Sequence, residues 1–165
     1  MAIFKIVGFL LLTLLIPVDA HQYEGWLSQL REIKLLKTGL NEVVKIYGQP
    51  EEPDMFGHRE FVTKDGTLFI KISTGRCGTR AKRGWDVDRD IVESFSFELK
   101  GRFKPKDLDL DIGQFDRSEV FDQPGAYYYE SKKLGMDLFV NKRGYVQLLE
   151  FYPDEALASK FRYCG

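Results

Sequence analysis

Residues 58–73 read HREFVTKDGTLFIKIS. Leu68, Ile70 and Ile72 fall on one side of an extended chain, Lys71 and Ser73 on the other, which is the pattern of a half-buried strand. Asp65-Gly66 interrupts the alternation, and Asp-Gly between two such runs is a strong short signal for a tight hairpin turn. The stretch therefore predicts strands over 58–64 and 67–73 joined by a turn. An antiparallel sheet follows as the centre of the fold.

The same period of two returns further along. Residues 91–100 alternate Phe95, Phe97 and Leu99 with Ser94, Ser96 and Glu98, which predicts a third strand. Three more strands are expected over 126–131, 136–140 and 145–152, with turns at 132–135 and 141–144. Before the first strand the period is helical. Residues 26–33 suit a short amphipathic helix, and a second places Leu40, Val43, Val44 and Tyr47 on one face. Thr38 is the expected cap of that second helix, and Gly48 followed by Pro50 its stop. A last helical turn is expected over 154–160.

Val120-Phe121-Asp122-Gln123-Pro124 echoes Ile46-Tyr47-Gly48-Gln49-Pro50, and each precedes three predicted strands. That suggests an internal duplication, with half-units at about 26–100 and 103–153. The predicted fold class is α+β: short N-terminal helices packed on an antiparallel sheet, in one domain over residues 21–165.

Residues 1–5 carry a positive charge, and residues 6–16 (IVGFLLLTLLI) form an apolar run ahead of Pro17-Val18-Asp19-Ala20. This arrangement predicts a signal peptide over residues 1–20 and a mature chain from His21. The run is short of the roughly 20 residues of a permanent anchor, so no transmembrane segment is expected in the mature chain. The formal net charge of -1 argues against a nucleic-acid binder. There are two cysteines, Cys77 and Cys164. In an oxidising compartment an even pair points to one disulfide, with free or intermolecular thiols as the other reading. Closing so long a loop stabilises a domain by about 4–5 kcal/mol in the chain-entropy model.

Lys37-Thr38-Gly39-Leu40, Val43 and Tyr47-Gly48-Gln49-Pro50, followed by a strand hairpin, resemble the repeat unit of SmpA/OmlA-type outer-membrane-assembly lipoproteins. Such a helix–helix–hairpin unit occurs in tandem in β-lactamase-inhibitor-like proteins. Over residues 26–164 the chain also resembles exported bacterial proteins of unknown function. In those a Gly/Cys loop leads to a Gly-Trp pair, a Leu-Asp-Leu segment follows, and a Cys sits at the C-terminus. The resemblance implies an envelope protein with no assigned activity. The lipobox cysteine of the lipoproteins is missing here.

The widest difference between the half-units lies between their second and third strands. The second half has the minimal turn Asn141-Lys142-Arg143-Gly144, whereas the first has residues 74–90, TGRCGTRAKRGWDVDRD. Loops of this length without their own structure are uncommon and enriched in function. Arg76, Arg80, Lys82 and Arg83 beside several glycines suit an anionic partner, and Trp85 can stack on a ring. The structural alternative has Cys77 anchoring the loop, Trp85 on the core, and Asp86, Asp88 and Asp90 neutralising the bases.

Other constellations are weaker. Asp107, Asp109 and Asp111 alternate with Leu108, Leu110 and Ile112, as on one exposed strand face, without the spacing of a calcium loop. The histidines are His21 and His58; with the mature α-amino group they would form a nitrogen-rich set suited to copper. Glu130 with Asp137, and Glu93 with Glu98, are candidate acid pairs. Tyr128 should face away from Tyr127 and Tyr129, leaving an aromatic surface on one side.

These observations predict a non-enzymatic binding or interaction module of the bacterial envelope or exterior, secreted or periplasmic. It would use its exposed sheet surface and the 74–90 loop to hold an unknown protein or an anionic envelope ligand. Neither nucleic acid, nor a cofactor, metal or catalytic residue is assigned. The alternative is a copper-dependent or hydrolytic enzyme built on His21 and His58.

Overall fold

Leu68 and Ile70 are fully buried while Thr67, Phe69 and Lys71 between them are half-buried, so the alternation does separate two faces of a sheet. The computed structural model describes residues 23–52, 58–78 and 83–165. Strands β1 (His58–Val62) and β2 (Gly66–Ile72) form the antiparallel hairpin, with His58 opposite Lys71 and Val62 opposite Thr67. Thr63 closes its turn: the hydroxyl accepts from the Gly66 amide at 3.0 Å, and the Thr63 amide donates to the Gly66 carbonyl at 2.9 Å. Gly66 is required for space. A Cβ there would lie 2.2 Å from the Glu98 carbonyl oxygen of the next strand in the sheet.

Seven strands make the main sheet. After the short β3 (Gly84–Trp85) come β4 (Val92–Phe103), β5 (Asp116–Glu119), β6 (Tyr127–Ser131), β7 (Met136–Val140) and β8 (Val146–Phe151). Their spatial order is β1-β2-β4-β8-β7-β6-β5, antiparallel throughout. Two three-stranded meanders therefore meet through their third strands, with Phe95 opposite Phe151 and Phe97 opposite Leu149. β5 adds an outer strand to the second meander. The fold is α+β, as the sequence predicts.

One face of the sheet carries the core. Helix α1 (Tyr23–Glu32) lays Trp26 flat on Phe97, ring centroids 4.9 Å apart, and edge-on to Phe103. Helix α2 (Leu40–Tyr47) buries Val43 completely and sets Tyr47 against Phe61. Leu68, Ile70, Phe97, Leu138 and Leu149 complete this layer from the strands. Burial of an aromatic or branched apolar side chain stabilises by about 1.5–3 kcal/mol each, which is what holds the helices on the sheet. The segment between the helices is tied to β4 by backbone bonds, Leu36 N–H to the Val92 carbonyl and Val92 N–H to the Thr38 carbonyl.

Several expectations are corrected. Thr38 does not cap α2. Its hydroxyl accepts the Lys34 amide, and Gly39 is the cap residue, its N–H donating to Glu42 Oε2 at 2.8 Å. Residues 107–111 are not a strand. Pro105–Leu108 forms a 3-10 turn, Asp109 is left-handed at φ 54°, and Ile112–Gln114 forms a second such turn. Asp107 and Asp111 each accept local backbone amides instead of sharing a face. Near the C-terminus, α3 (Glu155–Ala158) is capped by Asp154, and β9 (Tyr163–Cys164) pairs with β3.

Candidate binding surface

The face of the sheet opposite the core is half-exposed along its length, and its central row is acidic. Glu150 on β8 lies opposite Asp137 on β7, Asp137 opposite Glu130 on β6, and Glu130 opposite Asp116 on β5. Like charges directly opposed across strands are destabilising, so this row costs the fold stability. On the other side of Glu150 the row continues to Ser96 on β4 and Phe69 on β2.

Two phenols brace the carboxylates. The Tyr128 hydroxyl lies within hydrogen-bonding reach of both Glu150 Oε2 and Asp137 Oδ2, and Tyr152 donates to Asp137 Oδ1 at 2.7 Å. A hydroxyl carries one proton, so Tyr128 donates to one carboxylate at a time. Burial first, then the Glu150 hydrogen bond and charge, push the Tyr128 phenol above its ordinary range. Burial and the Asp137 hydrogen bond do the same for Tyr152. Both therefore stay protonated donors at neutral pH. Lys132 sits 3.7 Å from Glu130 at the surface.

Beside Glu150 the face dips into an open cleft of about 460 Å³, lined in part by Phe69, Lys71, Ser96, Leu148 and Tyr152. Apolar and ring surface thus adjoins hydrogen-bond acceptors on a rigid sheet. Of the tyrosines read as an aromatic surface, Tyr129 is buried in the core and Tyr128 joins the acidic row. Arg117 covers the Tyr127 ring at 3.6 Å.

Among the described residues of the 74–90 loop, two polar contacts stay within the loop. Arg76 pairs with Asp88 at 2.8 Å, and that hydrogen bond raises the Arg76 pKa. Asp86 Oδ1 accepts the Cys77 amide at 2.8 Å. Trp85 stands edge-on to Tyr163, centroids 5.2 Å apart, and does not enter the core cluster. Its amide donates to Glu93, a buried carboxylate at the bulge between β2 and β4 that also meets Lys71 at 3.6 Å. Cys77 and Cys164 are bonded, with Cα atoms 5.9 Å apart. Arg83 is exposed next to Gly84, while Arg80 and Lys82 lie outside the described residues.

The remaining candidates separate. His58 starts β1 opposite Lys71 and lines the cleft beside Glu150, and His21 lies outside the described residues. Glu93 is buried and Glu98 exposed, so they make no pair, whereas Glu130 and Asp137 are direct neighbours. No helix among the described residues is long and apolar enough to cross a membrane. The chain matches no family model, no curated protein and no solved structure.

Proposed function

We propose that this protein is an exported, non-enzymatic binding module of the bacterial envelope or exterior, whose open sheet face takes a basic segment of a partner protein. The observation that carries the reading is the cleft beside Glu150, continuous with the row Glu150, Asp137, Glu130 and Asp116. Lysine or arginine side chains would relieve the opposed carboxylates, and Phe69 and Leu148 would cover their aliphatic stems. The loop of residues 74–90 is the weaker surface, because Asp88 already holds Arg76 and Asp86 already holds the Cys77 amide.

Export is supported by the apolar run of residues 6–16 and by the disulfide. The order α1, α2, β1, β2 is also the helix–helix–hairpin order of the SmpA/OmlA-type unit, which supports placing the chain beside those envelope proteins.

A labelled oligolysine peptide titrated at low salt tests the face. Saturable binding is expected, lost in Asp137→Asn/Glu150→Gln and kept in Asp107→Asn/Asp109→Asn, which removes exposed acids elsewhere. No binding, or equal binding by both double variants, overturns the reading.

A further inference from the structure

The strongest cluster outside that face joins the middle of the chain to its C-terminal segment. Cys77, Asp86 and Cys164 each offer a ligand atom, all within 4.8 Å of one another, and all three residues are half-buried. They come from three segments: the loop after β2, the residue following β3, and β9. Two contacts besides the sulfur bridge hold these segments together. Gly84 pairs with Cys164 across β3 and β9, and the Asp86 amide donates to the Arg162 carbonyl at 2.8 Å. The Cys77 amide in turn orients Asp86 by binding Oδ1.

We infer that the disulfide conceals a metal site, and that the reduced protein binds a zinc-class divalent cation through Cys77 Sγ, Cys164 Sγ and the Asp86 carboxylate. A dithiol reductant converts the bridge to two protein thiols while itself becoming a disulfide, so two electrons and two protons pass to the protein. Each thiol then releases its proton as its sulfur takes the metal. Two thiolates and one carboxylate form a borderline-soft set that suits a tetrahedral zinc ion, water filling the fourth position. The Cα separation of 5.9 Å leaves the sulfurs free to move apart around an ion without rearranging the strands. A newly translocated chain carries reduced thiols, so metal and oxidant compete for the same pair of sulfurs.

Cobalt(II) is the probe, because thiolate coordination gives it a near-ultraviolet charge-transfer band and a tetrahedral visible spectrum. Protein reduced with an excess of a phosphine under inert gas is titrated with cobalt, then with zinc. One equivalent of tetrahedral, thiolate-bound cobalt is expected, displaced by zinc, and none in the oxidised protein. Asp86→Asn should still form the disulfide but bind cobalt about tenfold or more weakly when reduced. Circular dichroism follows the fold in parallel. Recovery of structure by metal in reduced protein that has loosened supports the site. Absence of the band, binding unchanged in Asp86→Asn, or reduced protein that metal fails to bind or refold overturns the inference.

Discussion

Glu150 on β8 and Asp137 on β7 face each other directly across the sheet, and the Tyr128 hydroxyl stands within hydrogen-bonding reach of both. The geometry makes Tyr128 a brace between two like charges. Tyr128→Phe keeps the ring and removes the donor, so urea unfolding at neutral pH should show a loss of about 1–3 kcal/mol. An unchanged midpoint at neutral pH would show that the hydroxyl bears no load.

Glu130 lies between Asp116 and Asp137, opposite both. Glu130→Lys replaces two repulsions by two attractions and loses only the exposed Lys132 pair, which contributes little. It should raise stability by about 0.2–1 kcal/mol in low-salt denaturation, an effect that fades with added salt. The same variant should bind oligolysine more weakly than the unaltered protein. Gain of stability with loss of binding is the signature of a charge row kept for a ligand.

Three phenols resist ionisation. Burial raises Tyr47, with a contribution from Glu32, and burial with the neighbouring carboxylates raises Tyr128 and Tyr152. In the unfolded chain each loses its proton near pH 10. Their contribution is therefore complete below about pH 10 and is lost as pH climbs beyond it, since the unfolded state releases protons the folded state retains. Absorbance at tyrosinate wavelengths should rise in two stages, the second coinciding with loss of ellipticity. A single smooth titration of every tyrosine in folded protein would contradict this.

Gly66 and Gly78 separate crowding from mere glycine content. A methyl group at Gly66 meets the Glu98 carbonyl at 2.2 Å and the Phe97 ring at 2.6 Å, whereas at Gly78 nothing lies within 4 Å and φ is not positive. Gly66→Ala should cost about 1–3 kcal/mol by forcing β2 from β4. Gly78→Ala should leave the thermal midpoint nearly unchanged, as differential scanning calorimetry can check.

What could be read beforehand was what periodicity encodes. β4 alternates apolar and polar residues over a buried face, and β2, β6 and β7 alternate in burial, so local pattern and packing agree there. β5 escaped because Asp116-Arg117-Ser118-Glu119 is exposed throughout and owes its extension to pairing with β6 alone. β3 and β9 are two residues each, and arise where the disulfide brings distant segments together. Residues 107–111 misled in the opposite way. Their Leu-Asp alternation has the strand period, but Pro105 starts a turn and left-handed Asp109 ends it.

The acidic row was visible only as one neighbouring pair, Glu130 and Asp137. Extending it to Glu150 needs the register of β7 on β8, which shifts at an irregularity between Phe139 and Val140. A tight-turn register counted from the sequence assigns the wrong partners there. Asp116 required β5 itself. The loop bases drew attention as a dense run of charge, but whether a charge is already satisfied depends on partners such as Asp88.

The covalent link between Cys77 and Cys164 also sets how the molecule meets mechanical load. Tension applied at the chain's two ends passes through sulfur, bypassing every peptide bond from the residue after Cys77 to the one before Cys164. Strands β4 to β8 are shielded from stretching while the bridge stands. Helices α1 and α2 and the β1–β2 hairpin, which lie outside the ring, are the part that can be drawn out.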